Sequence, residues 1–291
     1  MHKFKTVFLV SSLVLANDIA SAADKIDFNT TKGYLQAQRK IQCSLRDNQP
    51  ITYMWQGRAY SRVPGERDKK LFQVLGMNVR QCVTIKDAKK GEGYRLVSRE
   101  IMLYLDPETG EILREWQNPW SGETVKVIHV ANDPVNGRPN FGLDRAGKPQ
   151  KFDPLVIDGK AFMSFEIPLF YTNALGGDYQ KYVGGTYHAT EIFNFSADID
   201  DIADLSGHTA DIDVAWVRIA QWLPWMEMGS RAGLMYVNAV GKKLAGWDEL
   251  PDKIKREIKA NYPKYTAPPP GDDKRPNETS WTYFKKQLDQ Q

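Results

Sequence analysis

The stretch REIMLYLDPETGEILREWQNPWSGETVKVIHV, residues 99–130, decides the fold. Residues 99–105 are rich in side chains that suit a pleated, half-buried surface. Asp106-Pro107-Glu108-Thr109-Gly110 then supplies a turn. Its proline presets φ, and its glycine takes a left-handed position at no steric cost. Residues 112–116 read as the returning strand. Asn118-Pro119 and Ser121-Gly122 turn the chain again, and residues 124–130 form a third strand. Three strands joined by turns make an antiparallel meander.

The same grammar continues on both sides. Tyr53, Trp55, Tyr60 and Val63, and then residues 71–83, cluster β-formers between breaks at Gly57 and Pro64-Gly65. Further strands are expected at residues 161–170, 186–195, 214–222 and 233–240. So many strands with no intervening helix predict a mainly β fold, a large antiparallel barrel or sandwich with short helices at both ends. One helix is expected after a Thr30 or Thr31 cap, with Tyr34, Leu35, Gln38 and Ile41 along one side. A second starts near Asp248 to Pro251 and stops before Pro263, with Ile254 and Ile258 as its apolar stripe. The tail places Trp281, Phe284 and Leu288 at helical spacing. The expected organisation is a leader over 1–22, a β-rich domain over 23–262, a Pro-rich linker over 263–276 and an amphipathic clasp over 277–291.

The leader is an export signal. Lys3 and Lys5 precede an apolar run at 7–16, and Ala20-Ser21-Ala22 offers a small-x-small cleavage site. The run of roughly 10 residues is half the length of about 20 that spans a bilayer. The expected product is a periplasmic or secreted chain with no membrane span after cleavage. Its formal charge falls from +3 to +2 as Lys3, Lys5 and Asp18 leave. That near-neutral balance gives no support for nucleic-acid binding, which shows as a concentrated basic face. Cys43 and Cys82 are the chain's two cysteines. In an exported protein they read either as one disulfide or as two separate buried thiols. Neither has a partner at metal-ligand spacing, and no metal or cofactor is expected.

Candidate site residues come from alternation. On residues 124–131, Val125, Val127, His129 and Ala131 share a face. His129 in an apolar wall is either a core histidine or a proton shuttle, with Asn132 and Asp133 beside it to orient it or a substrate. On residues 187–195, Glu191 stands among Tyr187, Phe193 and Phe195. On residues 214–222, Arg218 stands among Val214, Trp216 and Trp222. A Glu191–Arg218 pair would satisfy both buried charges, either as structure or as the grip on a polar ligand group. Trp222, Trp225, Met226 and Glu227 offer apolar contact with a polar point, suited either to a ligand wall or to a loop plugging the core.

Three strings carry a resemblance. They are Trp116-Gln117-Asn118-Pro119 with Gly122-Glu123 and His129 through Asn136, then Trp222 through Gly229, and Asn277 through Phe284. They resemble a bacterial family known as domain of unknown function 1838. The likeness runs over almost the whole mature chain. It implies one integrated unit that includes the Pro-rich tail, and it brings no activity with it. Two functional expectations stand. One is a lyase or isomerase acting on a small apolar or aromatic molecule in a β-barrel pocket. The other is a non-catalytic binding protein for a small hydrophobic ligand. The oligomeric state is not legible.

Overall fold

A computed structural model describes residues 25–176, 179, 181 and 183–290. The export signal read at residues 1–22 lies outside the described residues. Helix α1, Thr31–Gln42, opens the described chain; the Thr30 side chain accepts from the Gly33 backbone N–H at 3.0 Å and caps it. Eleven strands follow: β1 Ile51–Arg62, β2 Lys70–Asp87, β3 Gly91–Leu105, β4 Glu115–Gln117, β5 Thr124–Lys126, β6 Val130–Asn132, β7 Leu155–Ile157, β8 Lys160–Thr172, β9 Thr186–Asp198, β10 Asp213–Ala220 and β11 Leu234–Leu244. Helices α2 Ile199–Ala203, α3 Asp252–Asn261 and α4 Ser280–Leu288 complete the set.

Nine strands form one antiparallel sheet in the order β6-β3-β2-β1-β11-β10-β9-β8-β7, and β4 pairs with β5 apart from it. The fold is mainly β, as expected, but the sheet does not close into a barrel: β6 and β7 are its two edges. It is nonetheless rolled. Glu100 on β3 and Glu191 on β9 lie five strand spacings apart along the sheet, about 24 Å if it were flat. Yet Glu191 is close enough to raise the pKa of Glu100. Arg138, after β6, likewise acts on Tyr171 of β8.

The predicted turn at residues 106–110 forms: Asp106 Oδ1 accepts from the Glu108 and Thr109 amides, and Gly110 sits at φ 71°. The third meander strand does not run as read. Residues 127–129 leave the sheet between β5 and β6, and the Val127 amide donates to the Arg114 carbonyl instead. The single face expected to hold Val125, Val127, His129 and Ala131 is therefore broken. Val125 and Val127 enter the core on the concave side, whereas Ala131 packs with Ile254, Ile258 and Tyr265 on the convex side.

Two plugs fill the roll. At one end Trp222, Trp225, Met226, Trp116 and Phe284 pack against Phe72, Tyr104 and Val237. At the other, Ala37 and Ile41 of α1 pack against Tyr53, Phe195 and Val214. The convex side of β2 and β3 is covered by α3, whose Ile254 and Ile258 are wholly buried. Each such side chain contributes roughly 1.5–3 kcal/mol of apolar burial. Helix α4 reaches across the roll: Glu278, just before it, accepts from the Asp133 amide, and Trp281 packs 5.5 Å from Tyr187 of β9. Cys43 and Cys82 form a disulfide that joins the end of α1 to β2, with Cα atoms 5.8 Å apart.

Candidate functional site on the concave face

Strand register fixes which side chains face the interior of the roll. Trp55 lies opposite Gly76 and Gly241, Asn78 opposite Glu100, and Glu100 opposite Asn132. On the other side Trp216 faces Phe193, Arg218 faces Glu191, and Glu191 faces Ile167. Alternation puts all of these on one face, together with Arg80, Tyr187, Phe165 and Tyr171. Gly76 has a steric reason: a Cβ there would stand 2.2 Å from the Trp55 indole, so the ring can lie over β2 only because position 76 has no side chain.

The expected Glu191–Arg218 pair forms. Arg218 donates through Nη1 to Glu191 Oε1 and through Nη2 to the Tyr187 hydroxyl at 2.6 Å. Burial works against the Arg218 charge, but Tyr187 and Glu191 outweigh it and hold the guanidinium charged. The pair is not sealed in the core: its side chains keep 15% and 17% of their accessible surface.

A second polar unit faces it. Asn132 Nδ2 donates to Glu100 Oε1 at 2.7 Å. Burial, and then the proximity of Glu191, push the Glu100 carboxyl above its ordinary pKa of 4.5. Asn132 Oδ1 and the Tyr104 hydroxyl are buried with no hydrogen-bond partner among the described residues. Arg80 lies 4.6 Å over the Tyr53 ring and donates through Nε to Asn78 Oδ1 at 2.7 Å.

An aromatic wall flanks these groups. Phe165 stacks on Phe193 at 5.2 Å and on Phe195 at 5.6 Å, and Phe193 leads on to Trp216 and Trp55. Phe165, Ile167 and Tyr171 are each more than a third exposed, so the wall opens to solvent along β8.

The remaining sequence candidates lie elsewhere. His129 is 4% exposed, and its Nδ1 accepts the Tyr104 amide at 3.1 Å, where β3 runs past the end of β6. Burial, reinforced by Arg114, lowers its pKa to about 4, so it is neutral at pH 7. Asp133 is clamped by Arg99, Lys264 and Arg275 at 2.8–2.9 Å. Burial opposes its charge, but those cations hold it far below the usual carboxylate range. Trp222, Trp225 and Met226 are buried in the end plug. Glu227 is on the surface, beside a cleft of about 490 Å³ shared with Glu66, Trp120 and Arg231. Among the described residues no three His, Cys, Asp or Glu side chains converge as metal ligands.

A larger groove, about 950 Å³, lies on the convex face against Met54, Leu155, Phe162 and Val240. Its lining is largely apolar, and its polar side chains, Gln56, Ser164, Asn194, Ser196, Asp213 and Lys242, are not buried as the fixed polar groups of a specific ligand site are. Volume alone favours it; chemistry favours the concave face.

A rolled antiparallel sheet with plugged ends, a charged floor and an aromatic wall defines the class of architecture. Residues 48–288 match the family described as protein of unknown function DUF1838, and the chain belongs to that family. No curated protein matches the chain.

Proposed function

We propose that the concave face binds a small apolar or aromatic molecule carrying a hydrogen-bonding group. One observation carries the reading: two hydrogen-bonded polar units, Glu191–Arg218–Tyr187 and Glu100–Asn132, lie close enough across the roll for Glu191 to act on Glu100, on the same face as the stacked wall of Phe165, Phe193 and Phe195. Aromatic side chains supply area, while a few fixed polar groups supply orientation. Trp222, Trp225 and Met226 close one end of the recess in this reading. Calorimetric titration with 2-naphthylmethanol tests it. Binding that Phe165→Asp abolishes is expected; binding unchanged by Phe165→Asp would remove the wall from the site.

Glu100 favours a second reading, proton transfer in a lyase or isomerase. A carboxyl group with a raised pKa, oriented by Asn132 and close to a second carboxylate, is the arrangement that separates an acid from a base. The shuttle role expected of His129 passes here to Glu100, and His129 and Asp133 hold the β6 segment that carries Asn132. The protein is proposed to work outside the cytoplasm. The Cys43–Cys82 disulfide is compatible with an oxidising compartment, and among the described residues no helix is long and apolar enough to cross a membrane. N-terminal sequencing of the purified protein should start at or near Ala23.

A further inference from the structure

Arg80 is a concave-face cation with no ion pair among the described residues, although Glu100 lies within reach of its charge. It stands on the concave face of β2, between Asn78 and the disulfide end of the strand. Its Nε is used by Asn78, but neither terminal nitrogen has a hydrogen-bond partner, and no carboxylate forms an ion pair with it among the described residues. Glu191 is matched by Arg218. Glu100, the acid whose field reaches Arg80, accepts its hydrogen bond from Asn132. Lys243 is also near enough to feel Arg80: it is buried, donates to the Lys40 carbonyl and the Thr209 hydroxyl, and has its pKa lowered to about 7 by burial and then by Arg80.

A guanidinium with both terminal nitrogens free is a fork that fits a carboxylate in two parallel hydrogen bonds. The residue is partly accessible. It is also connected to the aromatic wall: Arg80 lies over Tyr53, Tyr53 meets Phe195 edge-on at 6.2 Å, and Phe195 stacks with the exposed Phe165. Cation and wall are therefore linked through two buried rings, Tyr53 and Phe195.

We infer that the ligand of this recess is an acid, a carboxylate on a planar apolar body, with Arg80 as its anchor. The inference rests on the concave face being the ligand site. Burial lowers the pKa of Arg80, against the opposing pull of Tyr53 and Glu100. Glu100, held toward its neutral form by burial and Glu191, would repel the incoming anion less than an ordinary glutamate.

The test is calorimetric titration of the disulfide-bonded protein with 2-naphthoate and, separately, with 2-naphthylmethanol, which has the same ring system and no charge. Naphthoate should bind about ten- to a hundred-fold more tightly, the range of a charge-assisted hydrogen bond. Arg80→Gln should erase that preference and leave the alcohol's affinity unchanged; Arg80→Lys, which keeps the charge and loses the fork, should restore part of it. Equal affinity of the two compounds for the wild-type protein would overturn the anchor while leaving the aromatic site standing, and that comparison needs no variant to fold. A preference that survives Arg80→Gln would also overturn it. Failure of both compounds to bind would overturn the ligand site and the anchor together.

Discussion

Arg218 and Glu191 stand directly opposite each other on β10 and β9, and the Arg218 side chain reaches on to Tyr187, the next position but three on the same strand as Glu191. The pair has apolar neighbours on its own face, Trp216 and Phe193 on one side and Ala220 and Ala189 on the other. Glu191→Ala leaves the guanidinium without its acid there. A fully buried pair costs about 3–5 kcal/mol when broken; the residual exposure of this one reduces the expected loss to about 1–3 kcal/mol. Urea unfolding should show that loss, and Glu191→Leu with Arg218→Leu should recover most of it. Strictly additive losses would mean that the two charges do not depend on each other.

Glu100→Gln should stabilise the protein at pH 7. The carboxyl has a higher pKa folded than its ordinary 4.5, so the folded state holds the proton more tightly. Its stabilising contribution is then full at low pH and fades as pH rises above about 4.5. The amide removes the cost of ionisation, and its advantage should disappear in unfolding measurements below pH 4.

His129 makes the opposite pH signature. Its pKa falls from 6.5 to about 4 on folding, so the unfolded chain takes up the proton first. Stability should decline as pH drops from about 6.5 to 4, by about 3 kcal/mol from this residue. His129→Asn, whose side-chain oxygen can accept the Tyr104 amide, should flatten that slope. An imidazole that titrates near pH 6.5 by NMR in the folded protein would contradict the assignment.

Gly76→Ala should displace Trp55. The added methyl would meet the indole at 2.2 Å, a contact that cannot persist. Overpacking of this kind costs about 1–3 kcal/mol. A change in tryptophan emission together with lower thermal stability is expected, and a second change, Trp55→Leu, should relieve the thermal penalty.

The pairing of Glu191 with Arg218 was legible because β9 and β10 are regular where it lies, so period-two alternation and the oddity of a charge among aromatics located both residues. Arg80 and Glu100 carried the same signal, since the run Phe72, Val74, Gly76, Asn78, Arg80 turns polar on a face that begins apolar. What alternation could not supply was the roll that brings β3 toward β9, which depends on long-range packing and on small positions such as Gly76. His129 reads as part of a regular strand, but residues 127–129 lie between β5 and β6, where the Val127 amide donates to the Arg114 carbonyl. Whether the sheet closes could not be read from a strand count, because closure is set by edges rather than by the strands themselves.

The most direct measurement is NMR of the protein, isotope-labelled at Phe and Arg, titrated with 2-naphthoate. The concave-face account predicts shift changes at Phe165 and Phe193 and in the side chains of Arg80 and Arg218, with Phe162 unmoved on the opposite face. Shifts confined to Phe162, which lines the convex groove with Leu155 and Val240, would contradict it.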